Sequence, residues 1–389
     1  MRYLTAILLA VTSLSLVSLG GCEALISSLA TPADAQLLAT IVAGRYMTGE
    51  YPGTINSTLD DPIIVYHFTY TNGVSLWALM LLHEETGDAK YLEQVRASLA
   101  KYDADNLYRP DGGAEPIDYL GSMAHVTLEY HLRTGDQRYL ANALDSAEYF
   151  LNEVARSPDG LIAYHSEPAR GRIWADALFM VTPLLAKAGR LLNDSSYYDD
   201  VLHQFRGFSE KLRDPVVGLY HQGWNWHGAG ASPGYWGRAN GWVAVALTEV
   251  LDALPESYAG RSELLTLYQD FMQDVVAHQG VGGMWHQLLD RPDSYEETSC
   301  TAMFVYALGR GVQRGWLGPA YADAAEQGFV SLTRKIALDG TIDNICPGTG
   351  TQASEQAYFE RGPRRNDSHG IGPVMLAIYA GMILPAEVQ

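Results

Sequence analysis

A repeated pair of helices joined by a short turn is the feature that most limits how this chain can fold. Residues 81–102 (LLHEETGDAKYLEQVRASLAKY) and 128–151 (LEYHLRTGDQRYLANALDSAEYFL) each contain an apolar helix, the triplet Thr-Gly-Asp and a second helix that opens with Tyr-Leu. The triplet has a physical basis, because glycine readily ends one helix and an aspartate side chain can cap the next. Looser copies of the pattern follow at 184–205, 243–272 and 302–333.

The repeated hairpins predict an all-α fold that closes on itself. An open array of repeats needs polar caps at its ends. Here the last segment, 372–384 (GPVMLAIYAGMIL), is apolar and suits a pairing with the first helix at about residues 35–47. We therefore expect one domain over residues 35–389, folded as a six-hairpin (α/α)6 toroid. The long loops between hairpins should gather at one end of this ring and line a cavity.

The first 22 residues, MRYLTAILLAVTSLSLVSLGGC, have the pattern of an export leader. Arg2 precedes an apolar stretch over 4–19 that is too short for a membrane span. The ending Leu-Gly-Gly-Cys is typical of bacterial lipoprotein signals, in which the cysteine, here Cys22, is lipidated and becomes the new N-terminus. We expect an exported protein, anchored by lipid in the bacterial cell envelope and facing the periplasm or the cell surface. A plain cleaved signal with a chance cysteine is the alternative.

Charge and cysteine content narrow the classes of ligand. The net charge of −19 argues against nucleic acid as a partner, because binding to phosphates needs a basic surface. It also disfavours an anionic substrate unless local arginines overcome the overall field. The two remaining cysteines, Cys300 and Cys346, could pair or stay as free thiols. No Cys/His spacing indicates a metal site, and we expect neither a metal nor a cofactor.

Two aspartates are the candidate catalytic groups. Asp176 lies in the apolar run RIWADALFMV (172–181). Apolar surroundings disfavour the charged carboxylate and raise its pKa, which suits a general acid. A helix cap, or a buried aspartate satisfied by hydrogen bonds, is the alternative. Asp118, in PIDYLGSM, precedes the next inner helix in a similar way. Two carboxylates on one cavity suggest glycoside chemistry, although Asp118 taken alone is more often a cap.

Polar and aromatic residues are concentrated in the loops between the hairpins. His165 and His221 could move protons or hydrogen-bond to sugar hydroxyls. Arg238 is the best cation for a carboxylate-bearing substrate, since its planar fork suits bidentate pairing. The alternative is an arginine that ties down a loop by its carbonyls. The tryptophans that could stack on sugar rings, two of which could equally be core, are Trp224, Trp226, Trp236 and Trp242.

Four segments together resemble a known family: WADALFM (174–180), YWGRANGW (235–242), EETSCTAMFVYAL (296–308) and NDSHGIGPVMLA (366–377). With the Thr-Gly-Asp repeats upstream, they are similar to glycoside hydrolase family 105, the unsaturated rhamnogalacturonyl hydrolases. They resemble family 88, the unsaturated glucuronyl hydrolases, more distantly. The resemblance runs from about residue 40 to residue 385 and implies the same six-hairpin toroid.

The resemblance also implies a substrate and a set of residue roles. The substrate would be an oligosaccharide left by a polysaccharide lyase, with a 4,5-unsaturated uronic acid at its non-reducing end, and rhamnogalacturonan fragments are favoured. Asp176 would protonate C4 and help to activate the water that adds at C5, while Asp118 would contact the sugar and support Asp176. The residues implied to line the subsite for the unsaturated sugar are Tyr70, His165, His221, Trp236, Arg238 and Trp242, with Arg238 holding the uronate carboxylate.

Some features depart from the family pattern or leave other functions open. Ala177 stands where an acidic or polar residue often follows the aspartate, and the basic stretch RGPRR (361–365) matches no pattern. That stretch could form a positive rim for an anionic leaving group or be a solvated loop. One alternative function is an oligosaccharide-binding surface lipoprotein, which would not need Asp176. Another is a toroid hydrolase or epimerase acting on saturated sugars, with His165 and His221 as the acid and base of the epimerase.

Overall fold

The computed structural model describes residues 31–49, 69–104, 117–164 and 171–384. The leader with Cys22, residue His165 and the last five residues of the expected domain lie outside these ranges. In chain order the helices are α1 (Pro32–Met47), α2 (Tyr70–Thr86), α3 (Ala89–Ala104), α4 (Ser122–Thr134), α5 (Gln137–Asn152), α6 (Asp176–Leu192), α7 (Ser195–Leu212), α8 (Gly237–Ala253), α9 (Arg261–Ala277), α10 (Thr298–Gln313), α11 (Ala320–Thr333), the short α12 (Glu355–Phe359) and α13 (Ser368–Ile383).

Six of the described helices form an inner ring. Helix α2 packs on α4, α4 on α6, α6 on α8, α8 on α10, α10 on α13, and α13 returns to α2. The helices α1, α3, α5, α7, α9 and α11 lie outside, each against an inner neighbour. The first helix, α1, packs on α13, which is the pairing of chain ends that the apolar last segment predicts. The predicted (α/α)6 toroid is confirmed.

The turns predicted from the Thr-Gly-Asp triplets are present, with one residue ending a helix and the next capping the following helix. Gly87 and Gly135 end α2 and α4 in the left-handed conformation, with φ of 70° and 74°. Asn193 does the same after α6, with φ of 52°. Asp136 and Asp194 then cap α5 and α7, each accepting a hydrogen bond from the backbone N–H two residues on. The third copy of the repeat therefore replaces glycine by asparagine, which also tolerates this conformation.

A short two-stranded sheet, which the sequence did not indicate, joins two of the loops. Strand β1 (Ile173–Trp174) runs antiparallel to β2 (Gly223–Trp224), with Trp174 opposite Gly223. The Ala175 backbone N–H then donates to the Gln222 carbonyl at 2.8 Å. This ladder fixes the backbone immediately before α6 and so sets the position of that helix's first residue.

A buried ammonium group sits among the inner helices, toward their C-terminal ends. Lys187 of α6 donates to Glu129 of α4, to Glu249 of α8 at 2.8 Å, and to the His125 ring nitrogen at 2.8 Å. Tyr306 of α10 donates to the other oxygen of Glu249 at 2.5 Å. Four inner helices are thereby tied together around one cation. His125, Glu129 and Glu249 are ligand types that could hold a metal ion, but the lysine already contacts all three.

The charges in this cluster support one another. Burial works to raise the pKa of Glu129 and of Glu249, but the neighbouring cations and hydrogen bonds, of which Lys187 is the strongest, together outweigh it, so both pKa values lie below the usual range. Burial likewise works to lower the pKa of Lys187, and the two glutamates reverse that effect. Burial, helped by Lys187, lowers the pKa of His125 and favours its neutral form. The cluster therefore holds one cation between two anions and a neutral acceptor.

A cavity of about 630 Å³ opens beside this cluster. It is lined by charged side chains from the last turns of several inner helices, and these pair with one another. Arg133 pairs with Glu129 and with Glu84, and Arg310 pairs with Asp252 at 2.8 Å. Lys187 is eleven residues beyond the first residue of α6, which places the cluster about 16 Å along the helix from Asp176.

Replacing Lys187 with Met should strongly destabilise the fold. It would leave two buried carboxylates without their shared cation, and losing one partner of a buried pair costs about 3–5 kcal/mol. The free energy of unfolding in urea would measure the loss.

The matched control for this variant is Lys90→Met. Lys90 pairs with Asp88 at 2.7 Å, but both side chains are about two-fifths exposed, at 40% and 41%. An exposed pair contributes at most about 1 kcal/mol. Equal losses in the two variants would contradict a role for Lys187 in holding the inner ring together.

Candidate active site

The first turns of several inner helices meet at the other end of the ring. Tyr70 and Asp176 are the first residues of α2 and α6, and Arg238 is the second residue of α8. Burial raises the pKa of Tyr70 well above its usual range. The nearby charge of Arg238 lowers this pKa, and the charges of three aspartates raise it further: Asp118, Asp176 and Asp367. Side chains far apart in the sequence are therefore close enough to influence one another.

The surroundings of Asp176 favour the protonated form of its carboxyl group. The residue as a whole is partly exposed, but its Oδ2 is buried and has no hydrogen-bond partner among the described residues. Burial and the nearby charge of Asp118 raise its pKa to about 7, against the lowering effect of Arg238. The pKa rise that the apolar sequence context predicts is present. At neutral pH this carboxyl group is divided between its protonated and ionised forms.

Asp118 lies in a π-helical turn, Ile117–Gly121, that leads into α4. The Tyr164 hydroxyl donates to its Oδ1 at 2.5 Å, and α4 itself begins after Gly121 with no side-chain cap. The structure thus does not use Asp118 as the cap of α4. The Tyr164 ring packs edge-on against Trp174 at 5.0 Å, which connects Asp118 to the residues just before Asp176.

Arg238 ties down a loop. Its guanidinium donates to the carbonyls of Cys346 and Pro347, at 2.7 Å for Pro347, and stacks over Trp236 at 4.5 Å. Only 1% of the residue is exposed. This is the structural alternative that the sequence left open for this arginine. Its positive charge nevertheless acts at the site, since it lowers the pKa of Asp176.

The loop held by Arg238 has a second anchor. Glu297 caps α10 by accepting from the backbone N–H of Ser299 and Cys300, and also accepts from the Cys346 N–H at 2.8 Å. Cys300 and Cys346 are both buried and both free thiols, so they do not form the disulfide that was one of the two possibilities. Gln222 adds a third tie by donating to the Thr349 carbonyl at 2.7 Å.

The four tryptophans divide into two groups. Trp236 and Trp242 are 2% and 1% exposed, and Trp242 stacks on Phe179 at 4.7 Å. Both indole N–H groups are buried without a partner among the described residues. Trp224 and Trp226 are partly exposed. The pair predicted to line the sugar subsite is thus almost fully buried, whereas the other pair is partly exposed.

Among the described residues, the contacts of His221 are with Gly234 and Tyr235, and not with the two aspartates. Its Nδ1 is 3.1 Å from the Gly234 carbonyl, and its ring lies 4.8 Å from the Tyr235 ring. His165 is outside the described residues. Of the other predicted residues, Tyr70, Asp118, Asp176 and Arg238 are close enough to influence one another's charges. Trp242 packs edge-on against Tyr70 at 6.2 Å, and Trp236 lies against Arg238.

An aspartate–histidine pair in the segment NDSHGIGPVMLA (366–377), to which the sequence analysis gave no individual role, stands at the same end. Asp367 Oδ1 is 2.5 Å from His369 Nδ1, and the His369 ring packs edge-on against Tyr70 at 5.6 Å. The segment was one of the four that carry the family resemblance, but neither Asp367 nor His369 was given a role there. In the basic stretch nearby, Arg361 donates to Thr349 at 2.8 Å. Arg365 forms an ion pair with Asp343 at 2.5 Å.

Comparisons with known proteins agree with this arrangement. The family model of Glycosyl Hydrolase Family 88 matches residues 48–382. The unsaturated rhamnogalacturonyl hydrolase YesR of Bacillus subtilis is 27% identical over 313 residues, which is 79% of this chain and 87% of that protein. An unsaturated 3S-rhamnoglycuronyl hydrolase of Formosa agariphila is 26% identical over 289 residues, which is 70% of this chain and 75% of that protein.

A solved structure shares the fold. A possible member of the GH105 family from Salmonella enterica superposes with a TM-score of 0.79 at 24% identity, over 90% of this chain and 94% of that one. At this level of identity the likeness shows the fold alone, whereas the family model spans nearly all of the described residues. This chain belongs to Glycosyl Hydrolase Family 88 and is a glycoside hydrolase.

Proposed function

We propose that this hydrolase releases a 4,5-unsaturated uronic acid from the non-reducing end of lyase-generated oligosaccharides, with rhamnogalacturonan fragments as the favoured substrate. The names of the two relatives support the substrate class, since one is an unsaturated rhamnogalacturonyl hydrolase and the other an unsaturated 3S-rhamnoglycuronyl hydrolase. The proposal depends on Asp176, whose buried Oδ2 has no hydrogen-bond partner among the described residues and whose carboxyl pKa is raised to about 7.

The reaction is the hydration of a vinyl ether. The protonated Asp176 gives its proton to C4, and the ring oxygen stabilises the positive charge that develops at C5. Water then adds its oxygen to C5 and loses a proton to the Asp176 carboxylate, which regenerates the acid. The hemiketal at C5 opens to a ketone, and the hemiacetal left at C1 releases the leaving sugar. A positioned acid of this kind contributes roughly 10²–10⁴ in rate.

The uronate carboxylate needs a locally positive site in a chain of net charge −19. Helix N-termini carry partial positive charge, and the first turns of α2, α6 and α8 meet here. The buried Arg238 adds a full positive charge, although some of its N–H groups donate to the loop carbonyls. We propose that Arg238 attracts the carboxylate mainly as a buried cation.

A platform for the leaving sugar lies beside Asp176. Trp174 and Trp226 are partly exposed and their rings are 5.2 Å apart, with the Arg172 guanidinium 5.4 Å from the Trp226 ring. Partly exposed aromatic rings bind the apolar faces of sugars well. A paired-histidine epimerase gains no support from the described residues, because His221 contacts Gly234 and Tyr235.

Replacing Asp176 with Asn should abolish turnover and leave binding intact. The amide keeps the shape but cannot transfer the proton, so the rate should fall by at least about 10². The assay follows the ultraviolet absorbance of the conjugated double bond in unsaturated disaccharides from rhamnogalacturonan, chondroitin and ulvan, with binding measured by calorimetry. The disaccharide that is consumed also names the leaving sugar.

Two controls accompany this variant. Asp159→Asn, a change at a side chain that is 60% exposed, should keep full activity. The pKa of Asp176 is higher in the folded protein than in the unfolded chain. The stability that the protonated carboxyl group contributes is therefore lost as pH rises through about 7. The Asp176→Asn variant should therefore melt no lower than the wild type at pH 8. Full turnover in that variant would rule out Asp176 as the acid.

The activity should fall with rising pH as Asp176 loses its proton. With a pKa of about 7, kcat/KM should drop about tenfold per pH unit well above that value. Asp118 helps to raise this pKa, so Asp118→Asn should move the midpoint of the fall to lower pH. The rate profile between pH 5 and 9 measures both. A midpoint that stays in place, or moves up, would show that the Asp118 charge does not act on Asp176.

We also propose that the mature chain is exported and anchored by lipid at Cys22, which the leader sequence supports. Within the described ranges, no helix is long and apolar enough to cross a membrane. Expressed with its leader in a bacterium, the wild type should sediment with membranes and dissolve in detergent, whereas Cys22→Ala should not. Equal sedimentation of the two proteins would contradict the lipid anchor.

A further inference from the structure

His369 presents a side chain that the reaction above does not use. It is the second residue of α13, and 17% of its side chain is exposed. Asp367 is buried and holds it twice: its Oδ1 accepts from the His369 backbone N–H at 3.2 Å and lies 2.5 Å from the ring Nδ1. The ring is therefore fixed in orientation before any ligand arrives.

This geometry sets the tautomer of the ring. Since the Asp367 carboxylate accepts at Nδ1, that nitrogen carries the hydrogen and Nε2 of the neutral ring is an acceptor. Burial and the Arg238 charge lower the pKa of His369 and outweigh the opposite effect of Asp367. The charged or titratable groups that face the ring are Asp367 beside it, Tyr70 on α2, Arg238 on α8 and Glu297 before α10.

Gly348 lies against the edge of the ring that carries Nε2. A Cβ added at position 348 would lie 3.1 Å from Nε2 and 2.9 Å from Cε1, so any larger residue would press on this edge of the ring. The loop is held in that position, because Arg361 donates to the Gly348 carbonyl and Arg238 to the two preceding ones. Nε2 has no hydrogen-bond partner among the described residues.

We propose that His369 is a further substrate-binding residue whose Nε2 accepts a hydrogen bond from a hydroxyl of the unsaturated uronic acid, with Asp367 and Gly348 as positioning residues. This inference rests on the function proposed above. A 4,5-unsaturated uronate has lost its 4-hydroxyl, so its hydroxyl donors are O2–H and O3–H. An acceptor at this place favours a free hydroxyl there and disfavours a sulfate ester, which has no hydrogen to donate.

The test measures binding in the Asp176→Asn background, where no turnover interferes. His369→Phe keeps a planar ring and removes the acceptor, and should weaken binding of the disaccharide by about 2- to 12-fold, the usual range for one hydrogen bond. His369→Gln can place its amide oxygen near the same point and should recover part of the loss. Nitrogen NMR of the ring should show the hydrogen on Nδ1 when Asp367 is present and a changed tautomer balance in Asp367→Asn.

Deoxy sugars identify the hydroxyl. The 2-deoxy or the 3-deoxy uronate should bind more weakly than the parent to the His369 protein, and the same deoxy sugar should cost nothing further in His369→Phe. Additive losses for both sugars would overturn the inference. If His369→Phe does not fold, Gly348→Ala serves instead, since it covers Nε2 and should give the same non-additive pattern. Absence of binding by any unsaturated disaccharide to the protein with His369 intact would instead overturn the proposed function.

Discussion

The burial of the inner helices on almost all sides is the constraint on which the rest of the structure depends. In α8 nearly every residue from Gly237 to Leu251 is buried, and the same holds for α2 from Thr71 to Leu82. Polar groups on such helices cannot reach water along their length, so they either pair inside the ring or meet water and ligands at the helix ends. Near the C-terminal ends of the inner helices, polar groups pair with one another around Lys187. At the N-terminal ends, they meet water and ligands around Asp176.

These two places show how a partner charge decides what burial does to a carboxyl group. Glu129 and Asp176 both have buried carboxyl oxygens, and burial works to raise the pKa of each. Glu129 has the Lys187 ammonium in direct contact and ends far below its usual pKa. Asp176 has a second carboxylate nearby, no hydrogen-bond partner for Oδ2 among the described residues, and a neighbouring cation, Arg238, that donates hydrogen bonds to a loop. The first arrangement fixes a charge, and the second retains a proton.

Local patterns revealed the fold better than they revealed the site. The Thr-Gly-Asp turns and the apolar last helix are read from neighbouring residues, and they predicted the toroid. Asp176 was recognisable because its apolar neighbours are adjacent in sequence. The Lys187 cluster draws on positions 58 to 62 residues apart, and each member looks like an ordinary helix-end charge. The role of Arg238 depends on carbonyls about 110 residues away, which no local pattern contains.

The pairing of α2 with α13, which closes the inner ring, has a consequence for how the protein acquires activity. Tyr70 and His369, in contact across the site, come from the first and last inner helices, 299 positions apart in the sequence. Contacts between such distant segments form slowly, because the intervening chain must lose much conformational freedom before they can stabilise it. An incomplete chain emerging during synthesis has hairpins but no closed ring, and so no pocket. The enzyme can become active only after its final helix has been made and has docked.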